Sequence, residues 1–353
     1  MRALLFLFTG FCSTLFGSET CREITHSWET YCADPRTDLP IPPQLSQTEI
    51  ALQFSQAKEG FISRWDAFAH QHGPFVSFNF GKANQALEDE FQQIQKTRFT
   101  VWFANPDAVI RESAQGYEIA QSLLYQDGAR ARNCIAFAYN NTAPFYNAST
   151  LCVGSFTCIA CEGPRSKDVD KFFQLLVNYK VTHLVRLTPS YDGDVKKCHP
   201  YWDSHCQMID SFSGKLLVPV GANVTYPIQL LVMENWKDHQ GTDPNELLQM
   251  VLQVKRELEE SGGLLAVHCS AGVGRTGTFL AALAIIDAID NKQPLSIEEI
   301  VYRLSLQRFQ CVAKSSQYIV LHRLAERYLE QQTLKRTNNA VFKYRRGLAL
   351  PEF

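Results

Sequence analysis

No stretch of this 353-residue chain is apolar for long enough to cross a bilayer. Neither sign of charge predominates: 34 Lys and Arg stand against 36 Asp and Glu, for a formal net charge of −2. That balance gives no electrostatic reason to expect nucleic acid or a charged membrane surface as a partner. The cysteines lack a zinc pattern, because no second Cys/His pair stands at a suitable distance. There is also no internal repeat and no low-complexity tract. What remains is a length that suits one large domain or two small ones, with ample room for a core.

The ends and the cysteines carry separate expectations. Arg2 is followed by the apolar run Ala3 to Phe8, then Thr9, Gly10 and Phe11, with Cys12 to Phe16 and the small residues Gly17 and Ser18 after it. This reads as a secretory signal peptide over residues 1–18, which implies an exported or secreted protein; an N-terminal core helix is the alternative. Eleven cysteines are present. Cys21 with Cys32, Cys198 with Cys206, and Cys152 with Cys158 or Cys161 are open pairings, since connectivity cannot be read from spacing. Asn140, Asn147 and Asn223 begin Asn-x-Ser/Thr sequons, relevant only on a eukaryotic secretory route. Residues 19–85 read as an extension, loop-rich to about residue 45, with an accessory helix from Ile50 to about His72 on the spacing of Leu52, Phe54, Phe61, Ile62, Trp65 and Phe68. A main domain is expected over 86–332, followed by a solvated basic tail, 333–353.

One segment carries chemistry. The apolar run Leu264-Leu265-Ala266-Val267 leads into His268-Cys269-Ser270-Ala271-Gly272-Val273-Gly274-Arg275-Thr276-Gly277, and a helix-like run follows from Thr278 to Asp290. That is a strand, a glycine-rich turn and a helix start. Backbone N–H groups converge at such a turn, and the positive end of the helix dipole lies there, so an anion is favoured. A thiol in the same field loses its proton easily. Arg275 can grip two oxygens of a phosphate at once. The glycines also spell G-x-G-x-x-G, but a dinucleotide site needs an acidic residue at the end of a following strand, and Asp287 and Asp290 come too early and sit on the helix.

The segment resembles the Cys-x5-Arg loop of protein tyrosine phosphatases, in its tyrosine-specific form. Further resemblances keep the family's order from about Leu87 to Arg327. They are Leu87 to Ile94, Phe145-Tyr146-Asn147-Ala148-Ser149, Ile159-Ala160-Cys161-Glu162-Gly163-Pro164, and Lys197-Cys198-His199-Pro200-Tyr201-Trp202. The resemblance implies an α/β fold, a twisted mixed β-sheet flanked by helices, with the Cys loop at the C-terminal end of a central strand. It makes residues 86–332 a catalytic domain and Cys269 the nucleophile. Ser270, Ala271, Gly272, Val273, Gly274 and Arg275 become the phosphate cradle, with Thr276 steadying the leaving thiolate and His268 in support.

The same resemblance makes Asp238, in Asn235-Trp236-Lys237-Asp238-His239, the general acid. Trp236 anchors that loop, Lys197 hydrogen-bonds or steers Asp238, and Asp192 braces Arg275. Lys237 stands where the family has proline, which implies looser or differently timed loop closure. In Val312-Ala313-Lys314-Ser315-Ser316-Gln317-Tyr318, Ala313 replaces the first water-positioning glutamine and Gln317 matches the second, so hydrolysis of the intermediate should be slower or altered. Arg308 matches a structural arginine. The family's tyrosine rim is not evident in Arg130 to Phe137; Phe137 or Tyr139 could supply an aromatic wall. The implied partner is a phosphotyrosine-containing protein, with no metal and no cofactor required. A dual-specificity or inositide-directed phosphatase is the alternative, and a phosphotyrosine-binding module without turnover is the third reading.

Overall fold

A computed structural model of the chain describes residues 46–103, 146–221, 224–237, 240–308 and 310–347. In chain order, helices α1 (Gln47–His72) and α2 (Asn84–Phe103) precede a hairpin of β1 (Ala148–Val153) and β2 (Phe156–Cys161). Helix α3 (Val169–Asn178) leads to β3 (His183–Arg186) and to a small hairpin of β4 (Tyr191–Asp192) and β5 (Val195–Lys196). A meander follows, β6 (Cys206–Met208), β7 (Ser213–Gly221) and β8 (Val224–Val232). Helix α4 (Pro244–Ser261), strand β9 (Leu265–His268) and helices α5 (Gly274–Asp290), α6 (Ile297–Ser305) and α7 (Ser315–Gly347) complete it.

The main sheet has seven strands in the order β1-β2-β9-β3-β8-β7-β6. Pairing is parallel from β2 through β9 and β3 to β8, and antiparallel in the outer hairpins. This is the mixed α/β architecture expected. Strand β9 is Leu-Ala-Val-His and fully buried, as a central parallel strand covered on both faces must be. Its side chains alternate between two cores. Leu265 and Val267 join the larger one, which α2, α4, α5, α6, α7 and Phe61, Trp65 and Phe68 of α1 supply, while Ala266 joins the smaller one beneath α3. Every strand that ends at the site is therefore wedged between helices, so the loops at the strand ends have a rigid base.

Local signals set the element ends. Ser46 and Glu49 form a reciprocal capping box at the start of α1. Asp243 caps α4 with Pro244 in its first turn, and Gly262 closes it in the left-handed conformation. Strand β1 lies at the sheet edge, where Gln307 completes its pairing: Oε1 accepts from Cys152 N at 2.6 Å and Nε2 donates to Cys152 O at 3.1 Å.

The structure differs from the sequence expectations in several places. Helix α5 begins at Gly274 rather than Thr278, because Gly277 N already bonds to Val273 O at 2.8 Å. Helix α7 runs on to Gly347, so the basic stretch from 333 begins inside a helix. All described cysteines are free thiols: Cys152, Cys158, Cys161, Cys198, Cys206, Cys269 and Cys311. Cys152 packs on the larger core and Cys161 lies in the smaller one, on the other face of the sheet, which prevents that pairing. Asn147 is buried, donating to Glu162 and accepting from Arg308, so its sequon is closed to a glycan. Residues 1–18, Cys21, Cys32, Asn140 and Asn223 lie outside the described residues.

Asp287 serves the fold, not a nucleotide. Its carboxylate accepts from Ser155 N at 2.8 Å and Ser155 Oγ at 2.9 Å, fixing the β1–β2 turn to α5, and from Asn291 at 3.0 Å. Asp287→Ala removes all three of these bonds from a buried carboxylate and should destabilise the protein by about 1–3 kcal/mol. A urea titration should show a lower midpoint with an unchanged slope.

Candidate active site

Strand β9 delivers Cys269 to the floor of a loop that ends at the first turn of α5. The loop's backbone conformation follows from where its carbonyls go. Cys269 O accepts from His268 Nδ1 at 3.0 Å. Ser270 O accepts from Gly163 N at 3.0 Å. Ala271 O and Gly272 O accept from the Arg308 guanidinium at 3.2 and 2.6 Å. A planar trans peptide points its N–H opposite to its carbonyl. With four successive carbonyls held outward, the N–H groups of Ser270, Ala271, Gly272 and Val273 face the inside of the loop. That is a nest for an anion. No side chain caps the start of α5 and its first turn carries no acid, so the positive helix end also opens into the nest.

Gly272 permits the turn. Its φ is +70°, and a Cβ there would sit 2.1 Å from Cys161 O. Ser270 Oγ ties the loop to the Lys197 carbonyl at 2.9 Å. Arg308 is held in turn by Ser149 Oγ at 3.0 Å and Asn147 Oδ1 at 2.8 Å.

His268 is buried, and burial pushes its pKa down to about 3. It is therefore a neutral imidazole. Because Cys269 O can only accept, Nδ1 carries the proton, and Nε2 accepts from Tyr201 O–H at 2.7 Å. Tyr201 itself lies in the smaller core against Phe172.

Cys269 is 3% exposed. Burial, the largest single influence, pushes its thiol up, but the Arg275 charge together with hydrogen bonds from the Thr276 hydroxyl and from the N–H groups of Thr276 and Val273 outweighs it. The net position is below the ordinary thiol range. The buried Thr276 hydroxyl favours the charged form of the sulfur. Arg275 Nη1 donates to the Trp236 carbonyl at 2.8 Å. Trp236 is buried, and its Nε1 donates to Gln240 O at 2.8 Å, so one side chain pins both ends of the segment that carries position 238. The sequence-predicted Cys269, Arg275, Thr276, His268 and Trp236 are thus brought together.

A thiol held low in a nest of amides beside a guanidinium is the constellation that the sequence resemblance implies. Residues 121–220 and 215–327 match a family model described as protein-tyrosine phosphatase. This chain belongs to the protein-tyrosine phosphatase family. It is 30% identical to receptor-type tyrosine-protein phosphatase C of Homo sapiens over 191 residues, 48% of this chain and 14% of that protein. It is 30% identical to receptor-type tyrosine-protein phosphatase epsilon of Homo sapiens over 197 residues, 50% of this chain and 28% of that one. Tyrosine-protein phosphatase non-receptor type 13 of Homo sapiens is 26% identical over 189 residues, 48% of this chain and 8% of that one. The chain thus spans less than a third of these relatives.

Within this protein-tyrosine phosphatase domain, Gln317 is buried against the cradle. Its Oε1 accepts from Ala313 N at 2.9 Å and Lys314 N at 3.3 Å, and a Cβ on Gly274 would sit 3.0 Å from its Nε2. Lys197 contributes its carbonyl to Ser270. Asp192 lies half-buried on β4. Asp238, His239 and the rim stretch from Arg130 to Tyr139 lie outside the described residues. Sequence reasoning missed Tyr201 and Gly163 as supports. The signal was present in their family segments, but nothing local shows that Tyr201 meets His268 or that Gly163 meets Ser270.

Because the thiol is depressed, alkylation of Cys269 by iodoacetate should rise through a pH below the ordinary thiol range and then level off. Thr276→Ala removes a hydrogen bond worth about 1.5 kcal/mol to the charged form, and should move the inflection up by about one pH unit. An unmoved inflection would show that the hydroxyl does not reach the sulfur.

Proposed function

We propose that this chain hydrolyses phosphotyrosine in protein substrates through a phosphocysteine intermediate. The observation that carries the reading is the Cys269 thiol, depressed despite burial and faced by Arg275 and the inward N–H groups. In the first step Cys269 Sγ attacks phosphorus, and the bond from phosphorus to the tyrosine oxygen breaks. Asp238 gives its proton to the leaving phenolate. The cradle and Arg275 hold the phosphoryl oxygens as charge shifts onto them. In the second step water attacks phosphorus, its proton passes to Asp238, and the sulfur leaves as thiolate, which Thr276 steadies. Gln317 orients the water. The side chains of Ser270, Ala271 and Val273 carry no positive charge to receive the additional phosphates of an inositide, which favours the protein substrate. Export from the cell belongs to the same proposal, supported by the basic and apolar first residues.

Side-by-side assays with a phosphotyrosine peptide, a phosphoserine peptide and a phosphoinositide test the substrate class. Turnover should be confined to phosphotyrosine within about 100-fold, vanish in Cys269→Ser, and lose the acidic partner's pH dependence in Asp238→Ala, with kcat down by about 10²–10⁴-fold. Equal rates on phosphoserine would move the chain to the broader class. Full activity in Cys269→Ser would end the covalent mechanism.

A further inference from the structure

The segment before α7 is held in an unfavourable shape. Gln310 has φ +57° and Val312 φ +62°. For a β-branched residue the left-handed region is an outlier, and it persists only where the surroundings impose it. The segment is also pressed against the active-site helix, where a Cβ on Gly277 would sit 2.5 Å from Val312 N and 2.6 Å from Cys311 Cα.

The restraint comes from α2. Arg98 Nη1 donates to Cys311 O at 2.8 Å and to Ser305 Oγ at 3.0 Å, and Nη2 donates to Val312 O at 2.8 Å. Its Nε donates to Gln95 Oε1 at 2.8 Å, and Gln95 Nε2 donates to Ala313 O at 3.3 Å. Carbonyls 311, 312 and 313 are thus gripped by one pair of side chains on α2. The next group in the series is Ala313 N, which donates to Gln317 Oε1 and leaves its Nε2 against Gly274, at the mouth of the cradle.

Arg98 is 2% exposed, and no carboxylate bonds to it among the described residues. Burial pushes it down to about 10. For stability alone an apolar side chain of this volume would serve as well or better. A planar fork that reaches two adjacent carbonyls does something an apolar group cannot, which is to fix the orientation of both peptides.

We propose that Arg98, with Gln95, is a positioning residue for the water step: it sets the 311–313 backbone and through it the Gln317 amide. It takes over the placement that a second glutamine at 313 would share. The inference rests on the phosphocysteine reading, since the water step exists only there. In that step the phosphorus–sulfur bond breaks as the phosphorus–oxygen bond to water forms. Formation of the phosphocysteine does not use Gln317 and should be indifferent to Arg98.

The test is pre-steady-state release of p-nitrophenol from p-nitrophenyl phosphate by the full chain, with Arg98→Ala and Gln95→Ala beside it. Thermal unfolding and the pH inflection of Cys269 alkylation report whether fold and cradle survive. The expected result is a burst of unchanged rate and amplitude per folded molecule. Steady-state turnover should fall about 10-fold or more in Arg98→Ala, because small misplacement of a reacting partner is costly, and a few-fold in Gln95→Ala. Covalently bound phosphate trapped by acid during turnover should rise in both. The proposal is overturned if burst and steady-state rates fall in the same proportion, or if neither changes. Gln95 is half-buried, so its variant decides the matter should Arg98→Ala not fold. Absence of both a burst and acid-stable phosphate in the unaltered protein would instead sink the covalent mechanism itself.

Discussion

The site depends on the outward tether of the cradle's carbonyls. A peptide group offers its donor and acceptor on opposite sides, so fixing one fixes the other. His268, Gly163 N and Arg308 take the carbonyls of residues 269–272. The amides have nowhere to point but inward. No residue of the cradle contributes a charged side chain before Arg275, and none is needed: oriented backbone dipoles in a water-poor site act strongly and require no reorganisation when an anion arrives. The tethers are anchored in turn, Arg308 to Ser149 on β1 and to the neighbouring Asn147, and His268, the last residue of β9, to Tyr201 in the smaller core. The precision of the nest is thus inherited from the two cores.

The protein's other thiols show what this arrangement adds. Cys161, Cys198 and Cys311 are buried like Cys269. Burial pushes Cys198 and Cys311 up to about 12, and Cys161 higher still, even though Arg308 lies near enough to Cys161 and Cys311 to oppose the shift. Cys269 moves the other way. The difference lies in Arg275 and in the donors: Cys269 faces that guanidinium and receives the Thr276 hydroxyl and the N–H groups of Thr276 and Val273, whereas Cys198 and Cys161 face carbonyls. Burial beside a cation is not enough to activate a thiol; hydrogen bonds to the charged form are also required.

The sequence showed those parts of the site that are contiguous. The run from Leu264 to Gly277 displays strand, turn and helix start in one stretch, because apolar continuity and glycine spacing are local properties. The contacts that set the loop's geometry were not legible. Arg308 meets Gly272 across 36 residues, Tyr201 meets His268 across 67, and Arg98 meets Cys311 across 213. An arginine on an amphipathic helix reads as a solvated charge until the fold shows it buried. Asn147 reads as a glycan acceptor until Arg308 and Glu162 are seen on its amide. The start of α5 was misplaced because glycines that look like a loop are tolerated in a helix's first turn when an anion nest needs the space.

Arg98 and Arg308 share an unusual economy: both are buried, and both spend their donors on neutral acceptors, backbone carbonyls, a hydroxyl and amide oxygens, with no carboxylate bonded to them among the described residues. Arg186 is the contrast, paired to Glu234 and stacked on Trp202. A carboxylate partner would make burial cheaper, but it would also cancel the field the cation projects. Left unneutralised, the Arg308 charge sits on the cradle's own carbonyls and adds to that of Arg275. The ligand expected there is a phosphate carrying negative charge, and the thiol beside it is itself shifted toward its charged form. A phosphate held there offsets this charge, so a buried cation with carbonyl partners both shapes the loop and favours the anion it receives.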